Sequence, residues 1–391
     1  MPDEDWLGLL KECCEIDSRT DEPSRGSTRV SQLLASRLQS LGFALSWFTP
    51  PASEGTRGQH LIATRNTTAS RRLLLLGHTD TVLGPGDVPI HMDDAKGKLL
   101  GAGVCDMKGG NVMLLAALTR ALTREAAVRD AGITVLLSCS EEDDGPSFRT
   151  IARQNAAGAT ACLCFEPARL GKNGEQLFVT SRKGVVRFKL SIRGRAAHSG
   201  NAHPVGVNAN RELARKVEAL ESLTNPETDV TVNVGVIAGG RATNQVSDLA
   251  SASFEVRAFD PAILRVACER AREICSTSTI SSPADGRSTE LSLQEYEAFP
   301  AWPANAWTDA LAQRYVKLAE QRNLNVQPVA SGGGSDASHV ADLIPAIDGL
   351  GILGGAMHSD DEWADVRSFE SRTLLASDLI EHLCVHSNAT I

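Results

Sequence analysis

The amino-acid sequence predicts an α/β protein carrying an inserted α+β domain of ferredoxin-like order. Short apolar runs at residues 73–76, 133–137 and 162–165 are separated by helical patterns, as the buried strands of an α/β sheet are. The middle of the chain instead runs strand, helix, strand, strand, helix, strand. After residue 299 the α/β pattern resumes, so the middle reads as an insertion of about 120 residues, an ordinary domain size. The expected division is residues 1–180 and 300–391 for the outer domain and 181–299 for the insertion.

Taken in order, residues 5–16 and 28–41 read as amphipathic helices, followed by strands at 44–48, 60–65 and 72–76. A polar stretch at 81–99 is expected to run over the surface to the glycine-rich segment 101–106. Residues 109–124 form a strong helical pattern through Met113, Leu114, Leu115, Leu118 and Leu122. A further strand, helix and strand cover 133–138, 147–154 and 161–165. In the insertion, strands are expected at 184–192, 229–237, 252–258 and 290–296, with helices at 204–223 and 261–276. The closing pieces are a helix at 306–323, a glycine-rich loop at 331–336, a strand at 346–352 and a helix at 369–385.

The chain has 391 residues, 42% of them apolar, and a net charge of -9. That acidity argues against nucleic acid or an anionic membrane surface as partner. No apolar run is long enough to span a bilayer, and the acidic start, Met1-Pro2-Asp3-Glu4-Asp5-Trp6, has no hydrophobic signal core. Nine scattered cysteines, partly in apolar strands, read as reduced core thiols of a cytoplasmic protein.

Three candidate groups follow apolar runs: His78-x-Asp80, Glu141-Glu142 and Glu166. Ligand sites of open α/β sheets lie at the carboxyl ends of the strands. Two His and several carboxylates converging there, from a set that also holds Asp106 and His358, would give a mixed nitrogen and oxygen site suited to Zn²⁺, with Mn²⁺ or Co²⁺ as alternatives. Each residue also has an ordinary explanation. Asp80 can start a turn, Asp106 can cap a helix, and Glu141-Glu142 with Asp143 and Asp144 can form a solvated acidic turn. Adjacent carboxylates at a buried strand end are costly unless a cation or proton compensates. On extended chain, Glu141 and Glu142 would point to opposite sides. Ser335 lacks the glycine needed for a nucleophile elbow, and Gly101-Ala102-Gly103 lacks the third glycine of a dinucleotide fingerprint.

From Leu73 onward the chain resembles the M20 metallopeptidases, and within them the bacterial glutamate carboxypeptidases of the carboxypeptidase G type. The resemblance rests on Gly77-His78-Thr79-Asp80, residues 103–110, Ser140-Glu141-Glu142 and Glu166-Pro167. It continues in Ala196-Ala197-His198-Ser199-Gly200, residues 332–337 and Met357-His358-Ser359-Asp360. It implies a mixed-sheet, zinc-exopeptidase-like catalytic domain and an inserted dimerisation or lid domain. It further implies that Asp106 bridges two zinc ions, with His78 and Glu166 completing one and Glu142 and His358 the other. Glu141 would be the general base acting on a water held between the metals, and Asp80 would orient His78. His198, assisted by Asn244, would reach a partner subunit's site in a homodimer and stabilise the oxyanion. Arg257 would bind a substrate carboxylate, and Gly333 and Gly334 would line the pocket. The Asp106-Met107 peptide is expected to be cis. Near Gln176 and at residues 294–296 the chain lacks the Lys and Arg that glutamate carboxypeptidases tend to carry, which weakens the case for a C-terminal Glu.

The expected function is therefore dinuclear metal-dependent hydrolysis of an amide in a small peptide or N-acyl amino acid, releasing a C-terminal amino acid. An alternative is an N-acyl-amino-acid deacylase or hydrolysis of another C–N bond. A third, a metal-binding assembly protein without turnover, is disfavoured by the retention of Glu141 and His198 beside all five ligands.

Overall fold

A computed structural model describes residues 5–20 and 25–386, so residues 1–4 of the acidic start lie outside the described residues. The chain divides into two compact units. One runs to Ser181 and takes up Ala304–Ala330 and the chain from Ser335; the other is Arg182–Pro303 with Ser331–Gly334.

The first unit opens with helices α1 (Trp6–Cys14) and α2 (Gly26–Ser40) and strands β1 (Ala44–Phe48), β2 (His60–Arg65) and β3 (Arg72–His78). Two short strands, β4 (His91–Asp93) and β5 (Lys98–Leu100), precede α3 (Lys108–Arg124) and α4 (Ala126–Asp130). Then come β6 (Gly132–Ser138), α5 (Pro146–Ala156), β7 (Ala161–Cys164), β8 (Arg169–Leu170) and β9 (Gln176–Arg182). The inserted unit holds β10 (Gly184–Arg193), α6 (Ala209–Glu221), β11 (Thr231–Gly239), β12 (Leu249–Ala258), α7 (Pro261–Ser276) and β13 (Glu290–Phe299). The chain closes with α8 (Ala306–Gln321), β14 (Val326–Ser331), β15 (Ala346–Ile347), β16 (Gly354–Gly355), β17 (Trp363–Asp365) and α9 (Ser368–Val385).

The main sheet is six-stranded, in the order β1-β2-β6-β3-β7-β15. The strands β6, β3, β7 and β15 are mutually parallel, while β1 and β2 run antiparallel at one edge. The sheet is therefore mixed. Its central strands are buried on both faces, which is why they read as unbroken apolar runs. Leu75 lies opposite Val135 on one side and Leu163 on the other, so the carboxyl ends of the three strands come out level. That alignment carries His78, Glu141-Glu142 and Glu166 to one edge of the sheet. Helix α3 packs against α1, α2 and α9 and is buried over nearly its whole length. Glycines at its start allow a close approach to the strand ends: a Cβ at Gly110 would meet the Phe165 carbonyl oxygen at 1.9 Å.

In the inserted unit the sheet order is β11-β12-β10-β13, all antiparallel. With α6 and α7 this is the ferredoxin-like arrangement expected from the element order. Its core centres on Phe188 stacked on Phe254, with Leu213, Leu220, Leu264 and Cys268 from the helices.

The structure differs from expectation in several places. Strands β8, β9 and β14 were not expected, and they form a three-stranded sheet ordered β14-β9-β8. The stretch at 81–99 is not simply a surface excursion. It supplies β4 and β5, which join β16 and β17 in a second sheet ordered β16-β17-β5-β4. The strand expected at 346–352 pairs with β7 only at Ala346 and Ile347; Asp348 bridges to Val179 instead, and Gly349 then turns the chain with a left-handed φ of 73°.

Candidate metal centre

His78 ends β3 with its ring buried, and its Nδ1 lies 3.0 Å from the main-chain carbonyl oxygen of Asp80. That contact places a proton on Nδ1 and turns Nε2 toward the carboxylates, so the neutral ring would offer Nε2 to a metal. Nε2 is 3.3 Å from Asp106 Oδ1 and 3.6 Å from Glu166 Oε1. The other oxygen of Asp106, Oδ2, lies 3.2 Å from His358 Nε2, which is also 3.2 Å from Glu142 Oε2. Asp106 therefore presents one oxygen to each imidazole.

Asp80 has more contacts than the one expected of it. Its carboxylate lies 3.5 Å from His78 Nδ1, and its main-chain carbonyl, nearer at 3.0 Å, takes that proton. The carboxylate also accepts hydrogen bonds from the main-chain N–H of Glu141 (3.2 Å) and Glu142 (3.0 Å) and from the Thr20 hydroxyl (2.9 Å). This holds residues 141–144 in a turn, so Glu141 and Glu142 do not alternate across an extended chain as expected. Both carboxylates reach the site.

Ligand atoms of His78, Asp106 and Glu142, and of His78, Glu141 and Glu166, lie within 4.8 Å of one another. Mutual closeness alone groups Glu141 with the ligands and leaves His358 out. The contacts of His358 Nε2 with Asp106 and Glu142 weigh more, because ligands of two different ions need not all be near each other. Four carboxylates around two imidazoles carry an excess of negative charge that a cation would balance. The buried Oε1 of Glu142 has no hydrogen-bond partner, as a coordinating oxygen would not. The residues present thus fit a divalent cation site.

Electrostatics in the protein without metal follow from this crowding. Burial alone would lower the pKa of His78, but Glu166, Asp106, Asp80 and Glu141 outweigh it and hold it well above the ordinary imidazole value. Hydrogen bonds to Asp106 and Glu142 push His358 up to about 10. Burial, reinforced by Asp106, raises Glu142 to about 7. Asp106 is held low by His358 and His78 despite its burial.

Residues the sequence did not single out complete the site. Glu362, buried four positions after His358, accepts from the main-chain N–H of Gly103, Cys105 and Asp106 at 3.0 to 3.1 Å and fixes the loop that presents Asp106. Asn111, on the first turn of α3, donates to the His78 carbonyl. The Asp106-Met107 peptide is cis, as expected.

The remaining candidates lie in the inserted unit. His198 is exposed, and its Nδ1 accepts from the main-chain N–H of Gly200 and Asn201, both at 3.1 Å, so Nε2 carries the proton and can donate. Asn244 lies beside it, its carbonyl accepting from Ser199 N–H. Arg257 is engaged in a bidentate pair with Glu255 (2.7 and 2.9 Å) and donates to the Gly332 carbonyl. The carbonyls of Gly333 and Gly334 accept from Arg182. Gln176 accepts from the buried Arg372, so its difference from glutamate carboxypeptidases has a local structural use.

Residues 74–382 match the family described as Peptidase family M20/M25/M40. The chain belongs to that family. Among M20 relatives it is similar to carboxypeptidase G2 of Pseudomonas sp. (strain RS-16), at 26% identity over 96% of this chain and 89% of that protein. It is also similar to the succinyl-diaminopimelate desuccinylase of Granulibacter bethesdensis, at 29% identity over 79% of this chain and 82% of that protein. The fold matches an M20 metallo-carboxypeptidase from Sulfolobus solfataricus with a TM-score of 0.76 over 98% of this chain and all (100%) of that one, at 14% identity. A tripeptidase from Staphylococcus aureus matches equally well, with a TM-score of 0.76, 22% identity and 97% and 98% of the two chains covered. This M20 chain is thus an enzyme, a hydrolase with a candidate His, Asp and Glu metal site.

Proposed function

We propose that the chain is a dinuclear metal-dependent amidohydrolase that cleaves a C-terminal amino acid from a small peptide or N-acyl amino acid. The observation that carries this is Asp106 presenting one oxygen to each of two imidazoles, each of which has a further carboxylate beside it. Two Zn²⁺, or alternatively Mn²⁺ or Co²⁺, held by His78, Asp106 and Glu166 and by Asp106, Glu142 and His358 would polarise the scissile carbonyl and acidify a water.

Glu141 is then the residue that moves the proton. It takes one from the attacking water and delivers it to the leaving amine nitrogen. Burial raises its pKa well above the ordinary carboxylate value, with Glu166, Glu142 and Asp336 adding to the rise and His78 opposing it. Asp80 keeps Glu141 and Glu142 in register by holding both of their N–H groups. His198, with its proton on Nε2, donates to the developing oxyanion in a partner subunit of a homodimer, with Asn244 beside it. Arg257 receives a substrate carboxylate in competition with Glu255, so binding exchanges one charge-assisted pair for another. The names of the relatives, a carboxypeptidase and a desuccinylase, support a peptide or acyl-amine bond as the target. An N-acyl-amino-acid deacylase remains the second reading, favoured by the absence of a spare cation at Gln176. All nine cysteines are buried and unpaired, which supports a reducing compartment such as the cytoplasm. Among the described residues, no helix is long and apolar enough to cross a membrane.

Metal-stripped protein should be inactive, and Zn²⁺, Mn²⁺ or Co²⁺ should restore release of amine from a panel of dipeptides and N-acyl amino acids. With a reactive substrate in hand, replacing its carboxylate by a neutral amide should raise KM strongly for the wild type and hardly at all for Arg257→Ala. Full activity after verified metal removal would sink the metal reading. Equal discrimination by both proteins would move the carboxylate contact away from Arg257.

A further inference from the structure

The turn bearing Glu141 and Glu142 is anchored at both ends by one side chain. His60, on β2, is fully buried beside the chain leaving β6. Its Nδ1 accepts from the Cys139 N–H at 3.2 Å. An amide N–H can only donate, so Nδ1 is unprotonated and the ring proton sits on Nε2. Nε2 lies 3.0 Å from the Ser147 hydroxyl on the first turn of α5. That hydroxyl donates onward to Glu54 Oε2 at 2.8 Å, so Ser147 accepts from the imidazole and its own proton goes to the carboxylate. One neutral ring therefore bridges residue 139, just before the turn, and residue 147, just after it. The ring is fixed in place by aromatic neighbours, tilted against Phe148 at 5.2 Å and stacked on Phe48 at 6.1 Å between centroids. Asp80 holds the middle of the same turn, through the N–H groups of Glu141 and Glu142.

We propose that His60 is a positioning residue that braces the 139–147 segment from both ends and so sets the placement of Glu141 and Glu142 for catalysis; this rests on the roles proposed above for those two residues. Among the described residues His60 forms no hydrogen bond with Glu141 or Glu142. It acts through the backbone at Cys139 and through the first turn of α5. The two bonds are separable by substitution. Asn places an acceptor where Nδ1 sits and leaves Ser147 without its donor. Phe keeps the ring packing and deletes both bonds. Ser147→Ala removes the partner of Nε2 and leaves the imidazole on Cys139.

The test follows amide hydrogen exchange of residues 139–147 in the metal-loaded protein together with kcat, KM and bound Zn²⁺. In His60→Phe, exchange should rise in this segment while the rest of the sheet stays protected. Its kcat should fall about 10- to 100-fold with KM little changed, the size expected when a catalytic group is slightly misplaced. His60→Asn should keep the Cys139 amide protected and recover part of the lost kcat. Ser147→Ala, at a half-buried position, gives the same reading if His60→Phe does not fold: faster exchange towards residue 147 and a smaller loss of kcat. Wild-type exchange and kcat in both His60→Phe and Ser147→Ala would overturn the proposal. So would a loss of protection spread evenly over the molecule, which would make His60 a general core residue. Normal turnover by Glu141→Gln would instead refute the catalytic reading of the turn, while the exchange pattern would still decide whether His60 braces it.

Discussion

Glu141 is separated from its neighbours by what it lacks. Asp106, Glu142 and Glu166 each stand within 3.6 Å of an imidazole nitrogen, whereas no such contact involves the Glu141 carboxylate among the described residues. A half-buried carboxylate with a raised pKa beside the candidate metal site suits a general base. Glu141→Gln preserves shape and removes the proton acceptor. It should keep both metals and the fold and lower kcat by about 10²- to 10⁴-fold, measured alongside metal analysis. A variant with near wild-type kcat would show that another group takes the proton. At this scale, His78, Glu142 and Glu166 were legible because each follows a buried apolar run. Asp106 and His358 were not legible from spacing and came from the resemblance. Glu362 and His60 were missed for a physical reason. Each acts on main-chain N–H groups remote in sequence, and nothing in the local pattern tells which backbone a buried side chain will meet. The same holds for the second contact of Asp80, whose carboxylate serves the N–H groups of Glu141 and Glu142 as well as facing His78.

Elements buried on both faces announced themselves, since a strand with no solvent side has to be continuously apolar. Thus β3, β6 and β7 were read within a residue or two, as was α3. The short strands β4, β5, β8, β16 and β17 were not, because two or three residues carry no period to detect; β9 and β14, of seven and six residues, were missed as well. The turn after β6 was misjudged because its shape depends on Asp80, a residue of another strand end. These strand ends together make a proton-binding cluster when metal is absent. His358 holds its proton up to about pH 10 in the folded state, against about 6.5 for an ordinary imidazole, and His78 is shifted the same way. Between these pH values the folded protein binds more protons than the unfolded chain. Stability of the metal-free protein should therefore fall as pH rises from about 6.5 to 10. Thermal unfolding of the metal-free protein should show a Tm that drops across this window, with a shallower drop in His358→Ala. Bound metal requires neutral imidazoles, so the metal-loaded protein should lose most of this pH dependence. Equal slopes for wild type and His358→Ala would mean that His358 is not held protonated by Asp106 and Glu142.

At the scale of the whole molecule, the sheet of the inserted unit ends in β11 on one side and β13 on the other. On β11, Val236 and Ile237 are 60% and 57% exposed. A long edge strand with exposed apolar side chains invites pairing with another chain. A second copy pairing through the same edge gives a closed twofold dimer, the commonest symmetric assembly. The proposed oxyanion donor, His198, belongs to this unit, and its Nε2 proton is exposed and free to donate. Mixing two inactive proteins separates donation across the dimer from donation within one chain. His198→Ala chains retain Glu141, and Glu141→Gln chains retain His198. If His198 acts on the partner subunit, each mixed dimer has one site combining an intact Glu141 with an intact His198, and one site lacking both. Random exchange of equal amounts makes about half the dimers mixed, so activity should return to about one quarter of wild type. If His198 acts within its own chain, every site in a mixed dimer still lacks one of the two residues and no activity returns. Mixed dimers verified by mass, with activity no higher than that of the parent proteins, would therefore place the oxyanion donor in the same chain as the metals or assign it to another residue.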